Sequence, residues 1–367
     1  MRIAVVGRGM IGAAAAKYLA QAGHEVVVIG PDEPVDRASH DGVFGSHYDE
    51  GRITRSLDAD PFWSEVSRAS IARYRDIEAV SGVAFFTECG AMMAGPAQDA
   101  RMAEVDAVRQ AAGITAEAFD RAGLAERFPY FHFDDGHTGL YEAKDAGHIS
   151  PRKLVRAQSV LAQKAGAHLM DVYATGIRET GQGVVVDTTA GTVEAEHVVV
   201  AAGGFSNMVL PKPTPLAVYS RTVTFFEVDE DEAARLAGMP SLVYTDSDGH
   251  APYLLPPIRY PNGKIYLKIG GDPVDHLLET PAEMQAWFQS KGRADVGEFQ
   301  RARIEHKLPG LAIRAMHTEA CVTSFSPQDK AVIEAQSARI WLACAGCGRG
   351  AKCSDELGRR AAALLTG

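Results

Sequence analysis

Long apolar runs are missing from this 367-residue chain. No window approaches the roughly 18 uncharged apolar residues of a membrane span, so no membrane association is expected. Excess basic charge is missing too: 37 Lys and Arg stand against 47 Asp and Glu, a formal net charge of -10. A phosphate-backbone partner needs clustered cations, so no nucleic acid is expected either. Cysteine is scarce. The five, Cys89, Cys321, Cys344, Cys347 and Cys353, are odd in number and mostly near one end, unlike a secreted disulfide framework. We expect reduced thiols. Cys344 and Cys347 form a CxxC with no second pair to complete a four-ligand zinc site, so no metal site is expected. An HExxH motif, a Ser/His/Asp nucleophile system, internal repeats and low-complexity segments are likewise lacking.

What is present is the composition of a globular protein. With 46% hydrophobic and 23% charged residues, the chain can bury a substantial core. Its length suggests two domains, or one domain with a large insertion. The opening "MRIAVVG" enters a strand-like run at once, without the charged and apolar segments of a secretory leader, so a cytoplasmic location is expected.

The stretch "RIAVVGRGMIGAAAAKYLAQAGHEVVVIG" predicts a strand, a glycine turn, an alanine-rich helix and a second strand. The apolar runs Ile3 to Val6 and Val26 to Ile29 have the near-continuous pattern of buried parallel strands. Gly7, Gly9 and Gly12 fit GxGxxG in the required place, after a strand and opening a helix. The three glycines permit a tight turn, a close approach by a pyrophosphate, and close helix–strand packing. The free N–H groups of the helix start would hold the phosphate charge. The acidic residue expected at the end of the second strand is replaced by Gly30, and Asp32, two residues on, is the candidate for the ribose hydroxyls.

Further along, Ser150 and Pro151 form an N-cap and first helical position. Leu154, Ala157 and Leu161 then fall on one helical face, and Gly166 ends the segment. Strand-like stretches follow in "GVVVDTT" and "EHVVVAAGGFS". From about residue 210 to 320 the texture changes to a proline cluster, "PKPTP", and to the strands "TVTFFEV", "APYLLPPI" and "KIYLKIGG", followed by helices with charged faces. This predicts a second, antiparallel sheet domain inserted into an α/β dinucleotide fold.

Several of these stretches, taken in order, resemble one family. "GSHYDEGRITRS", "AGHISPRKLVRA", "HVVVAAGGFSN", "VYSRTVTFFEVDED", "GKIYLKIGGD" and "EACVTSFSPQDKAVIE" are similar, nearly end to end, to the monomeric sarcosine oxidase and N-methyltryptophan oxidase group of the D-amino-acid-oxidase-like flavoproteins. The resemblance implies a Rossmann-like FAD-binding domain, expected from 1–80, 146–210 and 321–367, and an α+β substrate domain from 81–145 and 211–320. It implies a monomer that uses molecular oxygen to oxidise a small amine carboxylate. The imine formed would hydrolyse, and oxygen would leave as hydrogen peroxide.

The resemblance also assigns residues. Gly7, Gly9, Met10, Ile11, Gly12, Ser46, His47, Arg52, Ala202 and Gly203 fall in its FAD-contacting segments. The loop "CAGCGRGAKCS" is the one that runs beside the flavin ring, with Gly346, Gly348 and Gly350 letting the backbone lie close and Lys352 entering the substrate site. Arg55 and Lys352 match the pair that holds the substrate carboxylate. Lys268 matches a lysine that promotes the reaction with oxygen, and Arg52 its partner on that flavin face. A lysine that reaches solvent from an edge strand is the alternative for Lys268. Cys321 aligns with a cysteine that bonds the flavin 8α carbon, a role that needs a thiolate, although a free cysteine also serves as a small core residue.

Tyr253 retains the family's pocket tyrosine, but Arg349 stands where the family has a histidine and Thr323 where it has a tyrosine. An added cation and added space suit a second acidic group on the substrate, as in iminodiacetate; sarcosine is the simpler alternative, and a protein carboxylate is the other partner open to Arg349. A flavin dehydrogenase with a non-oxygen acceptor is the runner-up function, and a flavin-free dinucleotide-binding protein the more distant one.

Overall fold

In the computed structural model, which describes residues 1–366, the opening stretch forms parallel strands Arg2–Val6 and Glu25–Ile29 around the helix Met10–Gln21. Side chains alternate across a strand, so Ala4, Val6, Val27 and Ile29 pack into one core while Ile3, Val5, Val26 and Val28 pack into another on the opposite face. Burial on both faces is why the runs are continuously apolar. His197–Val200 joins the other side of Arg2–Val6, followed by Ile340–Cys344, all parallel. His168–Met170 and the antiparallel Val332–Ala335 close the two edges of this six-stranded sheet.

The capping signals hold. The Ser150 hydroxyl accepts from the Lys153 N–H, the helix runs Pro151–Lys164, and Leu154, Ala157 and Leu161 are buried. The stretch "GVVVDTT" belongs to a separate three-stranded antiparallel unit, Ala174–Glu179, Val184–Thr188 and Gly191–Ala195.

The second sheet has eight strands, in the order Ala315–Phe325, Ala217–Val228, Ile265–Gly270, Tyr253–Arg259, Ser241–Tyr244, Ala91–Pro96, His137–Glu142 and Glu117–Phe119. It is antiparallel except where Ser241–Tyr244 pairs in parallel with Ala91–Pro96, the seam between its two chain segments. Ala315–Phe325 crosses the expected boundary at 320/321. It pairs along its whole length with Ala217–Val228, so Cys321 is presented by this second sheet.

The C-terminal helix Gly350–Thr366 lies against the first helix, where a side chain at Gly358 would meet the Ala14 Cβ at 2.5 Å. Within that contact the buried Asp355 carboxylate accepts from Lys17 Nζ at 2.7 Å, Arg73 Nε at 2.6 Å, Gln158 Nε2 at 2.8 Å and Tyr18 Oη at 3.0 Å. Burial alone would raise this carboxyl, but Lys17 and Arg73 override it and hold it below its usual range.

Asp355→Ala leaves Lys17 buried without a carboxylate and is expected to lower the unfolding free energy by about 3–5 kcal/mol, read as a drop in the urea midpoint. Because the folded pKa is the lower one, this contribution is complete above the unfolded carboxyl's value near 4 and is lost as pH falls through the folded value. The stabilities of the wild type and of Asp355→Asn should therefore converge in acid.

Candidate active site

A cavity of about 630 Å³ runs from the glycine turn of the first sheet to the inner face of the second. Its nucleotide end is built by Gly7 and Gly12. Gly7 has φ 105° and its missing side chain would strike the Ala201 carbonyl, while a side chain at Gly12 would strike the Gly7 carbonyl. Met10 and Ile11, at the start of the first helix, and Ala202 and Gly203 line the same wall. His47 lies 3.8 Å from where a Gly9 side chain would begin, and burial pushes its imidazole down to about 4, so it is neutral at pH 7.

Asp32 is not on this wall. Its carboxylate is largely exposed and pairs with Arg8. A side chain at Gly30 would meet the Arg8 backbone N at 2.6 Å and its Cβ at 2.7 Å. The turn carrying Arg8 therefore occupies the space in which an acidic residue at position 30 would begin, and this is the physical reason for the missing acid.

Midway along the cavity stand Arg52, Tyr253, Cys321 and Thr323. Arg52 donates to the Ser46 carbonyl at 3.1 Å and to Cys321 Sγ at 3.5 Å. The Thr323 hydroxyl is buried with no hydrogen-bond partner among the described residues. Tyr253 pairs with Gly270 across the strands, and a side chain at Gly270 would strike the Tyr253 ring, which explains the first glycine of "YLKIGG".

Lys268 lies one layer behind this wall. It is fully buried on a central strand, so it does not reach solvent from an edge. Its ammonium donates to Asp49 Oδ2 at 2.5 Å and to the Gly51 carbonyl, and Asp49 also accepts from Arg52 and from Tyr260 Oη at 2.8 Å. Burial and then the Arg52 charge push the ammonium down to about 8, with Asp49 opposing them. Burial would raise the Asp49 carboxyl, yet Lys268 and Arg52 hold it well below the usual range. Asp49 escaped the sequence reading, since an acidic residue in a polar loop reads as solvated.

The C-terminal loop closes the cavity. Ala345 and Cys347 adopt φ 61° and 46°, unusual for residues with side chains, and Gly348 adopts 70°. Gly346, Gly348, Gly350 and Lys352 all line the cavity. The helix beginning at Gly350 starts on the cavity wall, where Gly350, Ala351 and Lys352 line it. Cys344, Cys347 and Cys353 are buried free thiols.

Arg55 and Lys352, expected to hold a substrate carboxylate, converge on a carboxylate of the protein. Asp58 Oδ2 lies 3.2 Å from Arg55 Nη1 and 2.9 Å from Lys352 Nζ, all three buried. Arg349 is not a spare cation: it donates to Asp329 Oδ2 at 2.8 Å and stands 3.6 Å from Asp58 Oδ1. The alternative of a protein carboxylate is the arrangement found. Asp58 also escaped the sequence reading, and so did Arg101, which lines the cavity from the helix Ala100–Ala112. The i, i+3 spacing of Arg55 and Asp58 was the available signal.

Among known proteins, the family described as FAD dependent oxidoreductase matches residues 2–364. The N-methyl-L-tryptophan oxidase of Yersinia pestis is 26% identical over 98% of this chain and 93% of its own. Two solved structures share the fold: NikD, an unusual amino acid oxidase essential for nikkomycin biosynthesis, with TM-score 0.79 and 20% identity over 99% of this chain and 93% of its own, and iminodiacetate oxidase from Chelativorans sp. BNC1, with TM-score 0.74 and 16% identity over 100% and 95%.

Asp58→Asn removes the charge on which Arg55 and Lys352 converge. It is expected to cost about 3–5 kcal/mol of stability, with part of the loss restored by a monocarboxylate such as methoxyacetate. Melting curves with and without the ligand check this, the expected result being a larger ligand-induced shift in the variant than in the wild type.

Proposed function

This chain belongs to the FAD dependent oxidoreductase family, and on that premise we propose that it is an FAD-dependent oxidase of a secondary-amine amino acid. An N-substituted glycine is the substrate class, iminodiacetate or sarcosine the representatives. The observation that carries this reading is the position of Arg55 and Lys352 on the same cavity as the glycine turn, with Tyr253 and Cys321 between. The likeness to an N-methyl-L-tryptophan oxidase supports an amine substrate.

The residues fit FAD: Gly7 and Gly12 let the turn pack closely against the Ala201 and Gly7 carbonyls, Gly9 leaves its side-chain-free face open at the helix start, and one cavity joins them to Cys321. When bound, FAD supplies the two-electron acceptor for the C–H bond beside the amine nitrogen. Arg55 and Lys352 orient the substrate by its carboxylate, and their charges disfavour a protonated amine, keeping the nitrogen lone pair available. The amine loses two electrons and two protons to become an imine, and water splits the imine into glycine and glyoxylate from iminodiacetate, or glycine and formaldehyde from sarcosine. Oxygen takes up the two electrons and two protons as hydrogen peroxide. Lys268 supplies positive charge near that step, and Cys321, beside the Arg52 guanidinium, is the residue we assign to a covalent link with the flavin.

One observation favours a second reading, a dehydrogenase with another electron acceptor. Asp49 pairs with both Lys268 and Arg52, so much of the local positive charge is matched.

Anaerobic addition of iminodiacetate or sarcosine is expected to bleach the flavin absorbance, and air to restore it with one peroxide per amine. Bleaching that air reverses only slowly, while a quinone dye reverses it at once, would favour the dehydrogenase; no bleaching by any secondary amine would refute the amine reading. Lys268→Met should slow reoxidation by oxygen at least about tenfold, roughly the 1.4 kcal/mol of one lost charge interaction, while altering the bleaching step less. As pH rises through about 8 the Lys268 ammonium is lost, so the wild-type oxygen reaction should slow over that range. Cys321→Ala should release all its flavin on denaturation, where the wild type retains it.

A further inference from the structure

We propose that Arg101 forms a second anion subsite in the cavity, one that takes the distal carboxylate of a dicarboxylic secondary amine. The proposal rests on the amine-oxidase reading above and names the substrate class within it. Arg101 is the second residue of the helix Ala100–Ala112, and its backbone N–H is taken by the capping Asp99 carboxylate at 2.9 Å. Its guanidinium, half-buried on the cavity wall, makes no hydrogen bond and no ion pair among the described residues.

Every other cation on that wall has a carboxylate. Arg8 has Asp32, Arg52 has Asp49, Arg221 has Asp275 at 2.8 Å, Arg55 and Lys352 share Asp58, and Arg349 has Asp329. Arg101 alone does not. Burial, and then repulsion from Arg55, disfavour its charge, while Asp58 only partly compensates. A desolvated guanidinium without a partner is costly, and its planar fork is matched best by a carboxylate or phosphate.

The pairing around Asp58 favours the dicarboxylate. Of the four cations there, Arg55 and Lys352 pair with Asp58 and Arg349 with Asp329, and only Arg101 makes no ion pair, with Asp99 and Asp58 acting on it from a distance. A substrate with two carboxylates can set one beside Arg55 and Lys352 and the other on Arg101; sarcosine has only the first and leaves Arg101 bare. The two charges would also be read from different parts of the chain. Arg55 follows the short strand Arg52–Thr54 and Lys352 sits on the C-terminal helix, whereas Arg101 belongs to a helix packed on the second sheet.

The test uses holoenzyme and two unreactive ligands: diglycolate, in which an ether oxygen replaces the nitrogen of iminodiacetate, and methoxyacetate, the corresponding analogue of sarcosine. Calorimetry gives their dissociation constants for the wild type, Arg101→Gln and Arg101→Lys. The wild type should bind diglycolate at least about tenfold more tightly than methoxyacetate. Arg101→Gln should weaken diglycolate by about 10- to 100-fold, the range for one charge-assisted partner, and methoxyacetate by less than about threefold. Arg101→Lys should restore part of the loss. The kcat/KM ratio of iminodiacetate to sarcosine should fall in parallel. Equal losses for both ligands, or no wild-type preference for the diacid, would overturn the subsite, and oxidation of sarcosine would then still uphold the oxidase. Selective loss of diglycolate binding in an enzyme that oxidises neither amine would uphold the subsite and overturn the oxidase.

Discussion

The buried Asp355 carboxylate fixes what the rest of the site depends on, the position of the C-terminal helix. Four donors from three segments of the chain meet on it, and two of them, Lys17 and Tyr18, belong to the helix that starts at the glycine turn. The loop 345–349 is thus held at both ends, by the central strand Ile340–Cys344 and by a helix that cannot slide along its neighbour. Positive φ at Ala345 and Cys347 costs free energy that only such constraint can sustain. Lys352 inherits its position from the same helix.

A similar device recurs at the cavity. Asp49 and Asp58 each bind two cations of the proposed reaction site and lie behind or beside the wall. The cost of desolvating Arg55, Lys352, Arg52 and Lys268 is met within the folded protein, before any ligand arrives, and the side chains are held in one geometry. A carboxylate substrate entering between Arg55 and Lys352 shares them with Asp58, so affinity is traded for fixed orientation.

The sequence made some of this legible and hid the rest for physical reasons. The βαβ unit and the Ser150 cap were readable because local chemistry, period and capping alone determine them. The placement of Asp32 off the cavity wall was hidden because the deciding contact, Gly30 against Arg8, joins two turns adjacent only in the folded sheet. Arg349 looked like a spare cation because its carboxylates lie 20 residues upstream at Asp329 and far earlier at Asp58. Arg101 escaped notice because nothing local distinguishes a cation facing a cavity from one facing water. Cys321 fell at an expected boundary because composition changes near it while the backbone ladder continues through it.

Pairing also determines where selectivity can arise. A cation already matched by a protein carboxylate changes little when a ligand charge approaches, since it must give up part of one interaction to gain another. An unmatched one gains the whole of it. Arg55 and Lys352 are therefore suited to orienting any substrate with a carboxylate beside the reacting carbon, and they discriminate weakly among such substrates. On the proposed function, discrimination by charge falls to the position left unmatched, and on this wall the cation without an ion pair is Arg101, outside the loops that carry the family resemblance.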